Sequence, residues 1–487
     1  MRPDEQFKTI QNQNNSYYSD DRTIIYHGDN RIDLKKIPDE SIDLIVTDPN
    51  YGIKFMGKKW DVDVPAVETW IECLRVLKPG AFAFIMSSPR QDVLSEMIVR
   101  VRQAGFDTNF SSIYWAYAQG MPKAMNMSRA VMKRFGDEGE VIGIKKNTYD
   151  GSVRNPEKHR SPAELSNIGK WGLTKTPHGM PDIRPKDERA LKLYGSYAGF
   201  QPKPTIEVII VAMKSLSENT FVEQALKNGK GITWLHNCRI PLEEDSRLEK
   251  GGTYSERNCN NSTGMFGVGN NHVWAPRGGR FPGNLLVSDD VLFDGQEHKS
   301  GDLTGQYGTV NNVYGVYDKT RPQYLKGNSV DSFSRYFDLD KWFEENLKKL
   351  PKEVQETFPF LIVPKAAKSE RNEGCDETEP VYTDDSRHDK TAIGCNNPRN
   401  RSGTPKTNFH PTTKPIKLMS YLITLGSREG DIVLDPHAGS GTTCIAARML
   451  NRFSIGIDME ESYLRDIAVP KLKEMAKQKS ILDFGSG

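Results

Sequence analysis

Residues 433 to 447 read V-L-D-P-H-A-G-S-G-T-T-C-I-A-A, and the reading of this stretch decides the fold. Its apolar start, with Ile432 before it, makes a short strand; the glycines make a turn, and a helix begins near Thr442. Gly439 and Gly441 permit tight turning and close backbone approach by a ligand. The helix start offers free N–H groups and a positive dipole end, which suit a carboxylate. The next apolar run, F-S-I-G-I-D, ends in Asp458, where an acid can hold both hydroxyls of a ribose. Three readings compete with a nucleoside-type cofactor. A phosphate loop needs Gly-Lys-Ser/Thr, and no lysine follows Gly441. A dinucleotide fold wants a third glycine where this chain has Cys444. A plain helix-packing turn would account for a lone G-x-G. The strand on each side and Asp458 together favour the nucleoside.

Outward from this stretch the pattern alternates strand and helix. P-I-K-L-M-S-Y-L-I-T-L precedes it, and the first part of the chain carries the same rhythm. Residues 22–30, R-T-I-I-Y-H-G-D-N, read as a strand ending in an acid, and S-I-D-L-I-V-T-D-P as a second strand. V-E-T-W-I-E-C-L-R-V-L places Trp70, Leu74 and Leu77 at helical spacing, with Lys78-Pro79-Gly80 as the stop. A-F-A-F-I-M is a strand, about 90 to 104 a helix, and Phe110 to Tyr117 strand-like. This rhythm predicts an α/β sheet. At the end of the second strand stands T-D-P-N-Y-G-I, residues 47–53. An acid, a rigid carbonyl-bearing turn and an aromatic ring at the ligand-binding edge of a sheet suit a flat molecule that carries an amino group.

Between the two α/β stretches the rhythm breaks. Residues 120–204 are polar and rich in Gly, Pro and Asn, with 16 Lys/Arg against 9 Asp/Glu. That excess suits a phosphate-facing surface or a merely solvated insertion. One strand, T-I-E-V-I-I-V-A-M (205–213), interrupts, and a second irregular region runs from about 215 to 355. Residues 369–408 read as a flexible linker. At 487 residues, a main core with sizeable additions is expected. The net charge of +2 decides nothing as a sum. The 6 cysteines are scattered, without metal-type spacing, and read as reduced thiols. No apolar run of about 18 residues exists to span a membrane, and the N-terminus lacks a signal region, so the expected compartment is the cytoplasm.

The ordered set D-P-N-Y, then H-P-T-T-K-P (410–415), then D-P-H-A-G-S-G-T-T resembles the prokaryotic and phage site-specific DNA amino-methyltransferases of the permuted β class. W-A-Y-A-Q-G-M-P-K (115–123) and T-I-E-V-I-I-V-A (205–212) extend the resemblance. It covers about residues 20–125, 205–215 and 405–465. It implies a Rossmann-like α/β fold with circularly permuted motif order and an irregular inserted recognition region. The implied domains are 1–122 for the catalytic half, 123–204 a basic insertion and 205–214 a core strand. Residues 215–355 would be the target-recognition region, 356–408 a strand and linker, and 409–487 the cofactor half.

The resemblance further implies methyl transfer from S-adenosylmethionine to an exocyclic base amine, N6 of adenine before N4 of cytosine, with no metal. Asp48 and the Pro49 carbonyl would accept the amine N–H groups, and Tyr51 would stack on the flipped base. Asp435, Pro436, His437, Gly439, Gly441 and Thr442 would surround the cofactor. His410, Thr412 and Lys414 belong to the same site, Thr412 and Lys414 at its carboxylate, and Asp458 would take its ribose. Asp29 is a candidate for the adenine of the cofactor, or simply a helix cap. Two positions depart from the family pattern. Asn50 replaces a second proline, restoring an N–H and freedom in φ. His437 replaces phenylalanine and brings a polar ring that needs a partner. The implied partners are double-stranded DNA and a cognate restriction enzyme, with no membrane. The competing functions are a catalytically silent DNA-binding protein that keeps the fold, and an RNA or protein amine methyltransferase.

Overall fold

The computed structural model describes residues 2–13, 15–53, 61–117, 125–146, 179–199, 206–241, 279–288, 337–349 and 413–483, with six two-residue strands between 252 and 331. Two compact units result: Met1–Gln119 with Thr205–Gly487, and Gly120–Pro204.

The larger unit is built on one nine-stranded sheet. In chain order its strands are β1 (Tyr18–Ser19), β2 (Thr23–His27), β3 (Ile42–Thr47), β4 (Leu77–Ser87), β5 (Ile113–Ala116), β6 (Ile206–Met213), β7 (Leu285–Val287), β8 (Ile432–Asp435) and β9 (Phe453–Asp458). Across the sheet they run β1-β2-β9-β8-β3-β4-β6-β5-β7. From β2 to β4 all neighbours are parallel, whereas β6 runs antiparallel to both β4 and β5. β8 leads to β9 on one side and β3 to β4 on the other. The order therefore reverses between β8 and β3, and in such sheets ligands bind outside the carboxyl ends at the reversal. Residues some 390 apart pair directly there, Val433 with Leu44 and Leu434 with Ile45.

Side chains alternate across this sheet and make a core on each face. Leu44, Val46, Phe84 and Val433 pack with Leu418, Leu422 and Ile445 of helices α4 (Ile416–Gly426) and α5 (Thr442–Met449), which follow α1 (Asn30–Asp33), α2 (Val67–Val76) and α3 (Gln91–Gln103) in the chain. Ile45, Ala83, Ile85 and Leu434 pack on the other face with Trp70 and Cys73 of α2 and Met97 and Val101 of α3. Helix α4 is buried along its whole length, which explains its nearly uniform apolar sequence. α2 ends at Val76, and Lys78-Pro79-Gly80, expected as a helix stop, lies inside β4. Pro79 is tolerated near the strand start, where the ladder with β3 has not yet resumed. The irregular region 215–355 supplies the edge strand β7 and the helix Leu339–Leu347, whose Trp342 and Phe343 join the core.

The second unit pairs a helix, Met127–Phe135, with an antiparallel hairpin, Glu140–Lys146 against Gly179–Arg184. The Asp137 carboxylate accepts backbone N–H groups of Gly139, Lys186 and Asp187, each at 2.9 Å, and the Arg189 guanidinium lies 3.6 Å from the centre of the Phe135 ring. Among the described residues no helix is long and apolar enough to cross a membrane.

Candidate active site

The carboxyl ends of β3, β8 and β9 open on a cavity of about 220 Å³. Asp48, Pro49 and Asn50 line one part; Asp435 to Ser440, Thr442 and Thr443 line another; Asp458 and Glu460 close it. The two motifs quoted from the sequence are thus walls of one cavity. Their nearness follows from the β3–β8 pairing, not from any local property of either loop.

Around β8 the site is held by backbone groups and hydroxyls. Asp435 is buried; its Oδ1 accepts from the Thr47 hydroxyl at 2.8 Å and the His437 N–H at 3.0 Å, and its Oδ2 from the Thr443 hydroxyl at 2.6 Å. Loss of water pushes its carboxyl up to about 6, against the pull of these donors. Asp458 accepts the Gly439 N–H at 2.7 Å and the Glu460 N–H at 2.8 Å, one on each oxygen. Each oxygen keeps a second lone pair, so hydroxyl donors could still be accepted. Gly441 caps α5 with φ +76°, a conformation that favours glycine, and a Cβ there would crowd Ala468 at 3.0 Å. The Thr413 hydroxyl is buried on the cavity wall with no partner among the described residues.

His437, the ring that needed partners, has them. The Asn30 amide donates to Nε2 at 3.0 Å, and Nδ1 faces the Thr47 hydroxyl at 3.2 Å. Because the Thr47 hydroxyl gives its own proton to Asp435, it accepts from His437, which fixes the proton on Nδ1. Thr69 in turn donates to Asn30 at 3.1 Å. The ring is neutral, since burial pushes it down to about 4. Asn30 and Thr47 stand inside the quoted stretches, but no pattern of residue types marks them as partners of this ring.

Around β3 the site is charged. The Lys414 ammonium lies 3.2 Å from Asp48 Oδ2 and 2.8 Å from Glu207 Oε2, and donates to the Tyr51 hydroxyl at 3.1 Å. Its three N–H groups are thereby all used. Lys414, expected at a cofactor carboxylate, lines the cavity, and its ammonium is engaged by the first motif and by Glu207. The Tyr51 hydroxyl donates to Asp48 Oδ1 at 2.7 Å, and the Lys414 ammonium lies 5.2 Å from the centre of the Tyr51 ring. Burial, the largest influence, raises Asp48 above the ordinary carboxylate range; Lys414 opposes it and Glu207 adds to it. Glu207 belongs to β6. Its antiparallel direction brings the start of that strand to the edge where β3 ends, and no sequence pattern announces this.

Asn50, the departure that lacked a reason, has one in the structure. Its side-chain amide donates to the Asp63 carbonyl, while the Gly52 N–H donates to Asp61 at 2.8 Å. Arg100 of α3 anchors that neighbouring stretch through Asp63 at 2.9 Å and the Val64 carbonyl at 2.7 Å. The loop is tethered from outside where a proline would stiffen it from within. Asp29 caps α1 and pairs with Arg31, 2.9 Å from its N–H. The cap role uses its carboxylate, and Asn30 rather than Asp29 reaches the cavity. His410 and Thr412 lie outside the described residues. Four aromatic residues of the two irregular regions, Trp171, Tyr194, Trp234 and Trp274, would suit a nucleic-acid surface; of these, Trp234 is stacked by the Arg428 guanidinium 3.3 Å away. Tyr194 is exposed, and the side chains of Trp171 and Trp274 are not described.

Residues 233–469 match the family model N6_N4_Mtase, described as DNA methylase. The chain resembles a DNA amino-methyltransferase. Type II methyltransferase M2.DpnII of Streptococcus pneumoniae is 50% identical over 56 residues, 12% of this chain and 21% of that protein. M.HpaI of Haemophilus parainfluenzae is 44% identical over 75 residues, 15% of this chain and 21% of that one. The chain thus spans about a fifth of the length of these curated relatives. An overlay on the structure of the PvuII cytosine-N4-specific DNA methyltransferase covers 96% of this chain and 95% of that chain at 12% identity, with a TM-score of 0.37. The family match begins at 233, beyond D-P-N-Y, so the first motif stands on its own geometry.

Proposed function

We propose that this protein is a site-specific DNA methyltransferase that transfers a methyl group from S-adenosylmethionine to the exocyclic amine of a flipped base, adenine N6 before cytosine N4. The observation that carries the reading is the single cavity walled by both motifs at the reversal of strand order. Its donor set suits an amino-acid head joined to a nucleoside. The α5 N-terminus and the buried Thr413 hydroxyl would take the carboxylate, and Asp458 the ribose hydroxyls. When bound, that cofactor supplies an electrophilic methyl on a sulfonium.

The rest of the chemistry falls to the chain. An aromatic amine is a poor nucleophile because its lone pair is delocalised into the ring. Asp48 and the Pro49 carbonyl accept its two N–H groups, favour tetrahedral nitrogen and expose the lone pair. Tyr51, held by Asp48 and Lys414, offers its ring to the flipped base. The methylated nitrogen is acidic and gives up its proton; a carboxylate raised by burial is placed to receive it. Positioning supplies much of the acceleration. The lean toward adenine rests on aspartate as the first residue of the tetrapeptide. The basic 123–204 segment would meet phosphates, making DNA affinity salt-dependent.

The test uses purified protein, labelled S-adenosylmethionine and unmodified double-stranded DNA, with digestion to nucleosides and mass spectrometry. Label in N6-methyladenine is the expected result. Label in N4-methylcytosine keeps the mechanism and reverses the choice of base. No label, despite cofactor binding, moves the reading to a silent DNA-binding protein or to a methyltransferase with a different acceptor.

A further inference from the structure

Beneath the tetrapeptide lies a buried group of one cation and two anions. Lys414 is 8% exposed, Asp48 15% and Glu207 16%. The ammonium sits nearer Glu207, at 2.8 Å, than Asp48, at 3.2 Å. Asp48 lines the cavity and Glu207 does not. Glu207 is fixed from its far side by the Tyr117 hydroxyl at 3.5 Å, and it also faces the Tyr51 hydroxyl at 3.3 Å. A lysine paired with Asp48 alone would cancel its charge and take one of its oxygens. The second carboxylate leaves the group with one net negative charge; Asp48 and Lys414 reach the cavity, and Asp48 is the anion that does so.

We propose that Glu207 is a positioning residue that shares the Lys414 ammonium with Asp48, so that Asp48 meets the substrate amine as a carboxylate with unspent negative charge and Tyr51 stays oriented. This rests on the reading of the protein as an amine methyltransferase. Glu207 touches no reacting atom and acts through Lys414 and Tyr51. An acceptor with more negative charge pulls harder on the amine N–H groups and better stabilises the cationic nitrogen that forms during transfer. The groups facing Asp48 are Lys414 ahead of α4, Glu207 on β6, Tyr51 on its own loop, and Asp435 at the end of β8. Of these, Glu207 raises the Asp48 carboxyl and Lys414 lowers it.

The test is Glu207→Gln, which keeps the shape and a polar contact for the tyrosines while removing the charge. Two readouts are taken on the full chain. The first is single-turnover methyl transfer to mixed-sequence double-stranded DNA against pH. The second is the titration of the Asp48 carboxyl by carbon-13 NMR in cofactor-free protein, assigned with Asp48→Asn. Removal of the Glu207 charge is expected to move both the acid limb of the rate and the Asp48 titration to lower pH by about one unit. The rate on the plateau is expected to fall by about tenfold, and Glu207→Asp to restore the limb. An unshifted Asp48 titration in folded Glu207→Gln overturns the proposal. If wild-type protein methylates no DNA, the functional reading falls, and the NMR titration still decides the role of Glu207.

Discussion

The two walls of the cavity are built in opposite ways. The loop after β8 satisfies its acids with neutral donors and is closed on itself: Asp435 takes donors from Thr443 and the His437 backbone nearby, and Asp458 takes backbone N–H groups. From the first part of the chain, Thr47 and Asn30 contribute side-chain hydrogen bonds to it. The loop after β3 is charged and is completed from afar, by Glu207 of β6, Lys414 ahead of α4, and the stretch anchored by Arg100. A wall that must hold a cofactor needs shape and backbone donors. A wall that must activate an amine needs a carboxylate whose charge is managed, and charge is managed by neighbours that need not be near in sequence.

The comparison breaks most visibly at Asp48. Asp48→Asn places a donor where the amine needs an acceptor, and methyl transfer is expected to fall by about 10³, with cofactor affinity within about threefold by calorimetry. Lys414→Met comes next. It leaves two buried carboxylates facing each other, so stability in urea is expected to drop by about 3 kcal/mol and transfer by about 10² at pH 7.5. Both results keep the charged wall separate from the cofactor wall; parallel losses of cofactor affinity would merge them. Asn50→Ala cuts the outside tether and is expected to cost about tenfold in rate through misplacement of Pro49. Asn50→Pro, with stiffness from within, should recover most of it.

The smallest effect on activity is expected at His437, on the cofactor wall. His437→Phe should transfer methyl within about threefold of wild type, but its stability should respond differently to pH. The buried ring is held near 4, below its ordinary 6.5, so between those values the unfolded chain binds the extra proton and wild-type stability falls as pH falls. Asp435, raised to about 6 from 3.8, has the opposite sign: there the native state binds the proton, and stability falls as pH rises. Phenylalanine removes the first contribution alone. The stability gap between wild type and variant, read from urea melts, should therefore shrink by up to about 3 kcal/mol from pH 6.5 to pH 4. A constant gap would mean that the ring is not held neutral.

This contrast also explains what could be read from the sequence. The β/α rhythm and the cofactor loop were legible because periodicity, glycine turns and strand-end acids are local, and Gly441 and Asp458 announce themselves. Lys78-Pro79-Gly80 misled because a helix running straight into a strand leaves no loop to mark the border. Glu207 sits inside an ordinary apolar strand, and its importance depends on that strand being antiparallel, which is a property of the sheet. Lys414 lies in a motif associated with the cofactor, yet its ammonium completes the opposite wall. The partner of Asn50 is a backbone carbonyl 13 residues away, beyond any pattern of residue types.

The most direct test of the central claim, that the two distant motifs enclose one site, is a crystal structure of the protein soaked with S-adenosylmethionine. The predicted result is cofactor density bordered by Asp458 and Gly439 at one end and by Asp48 and Pro49 at the other. Density lying against only one motif, or outside this cavity, would contradict it.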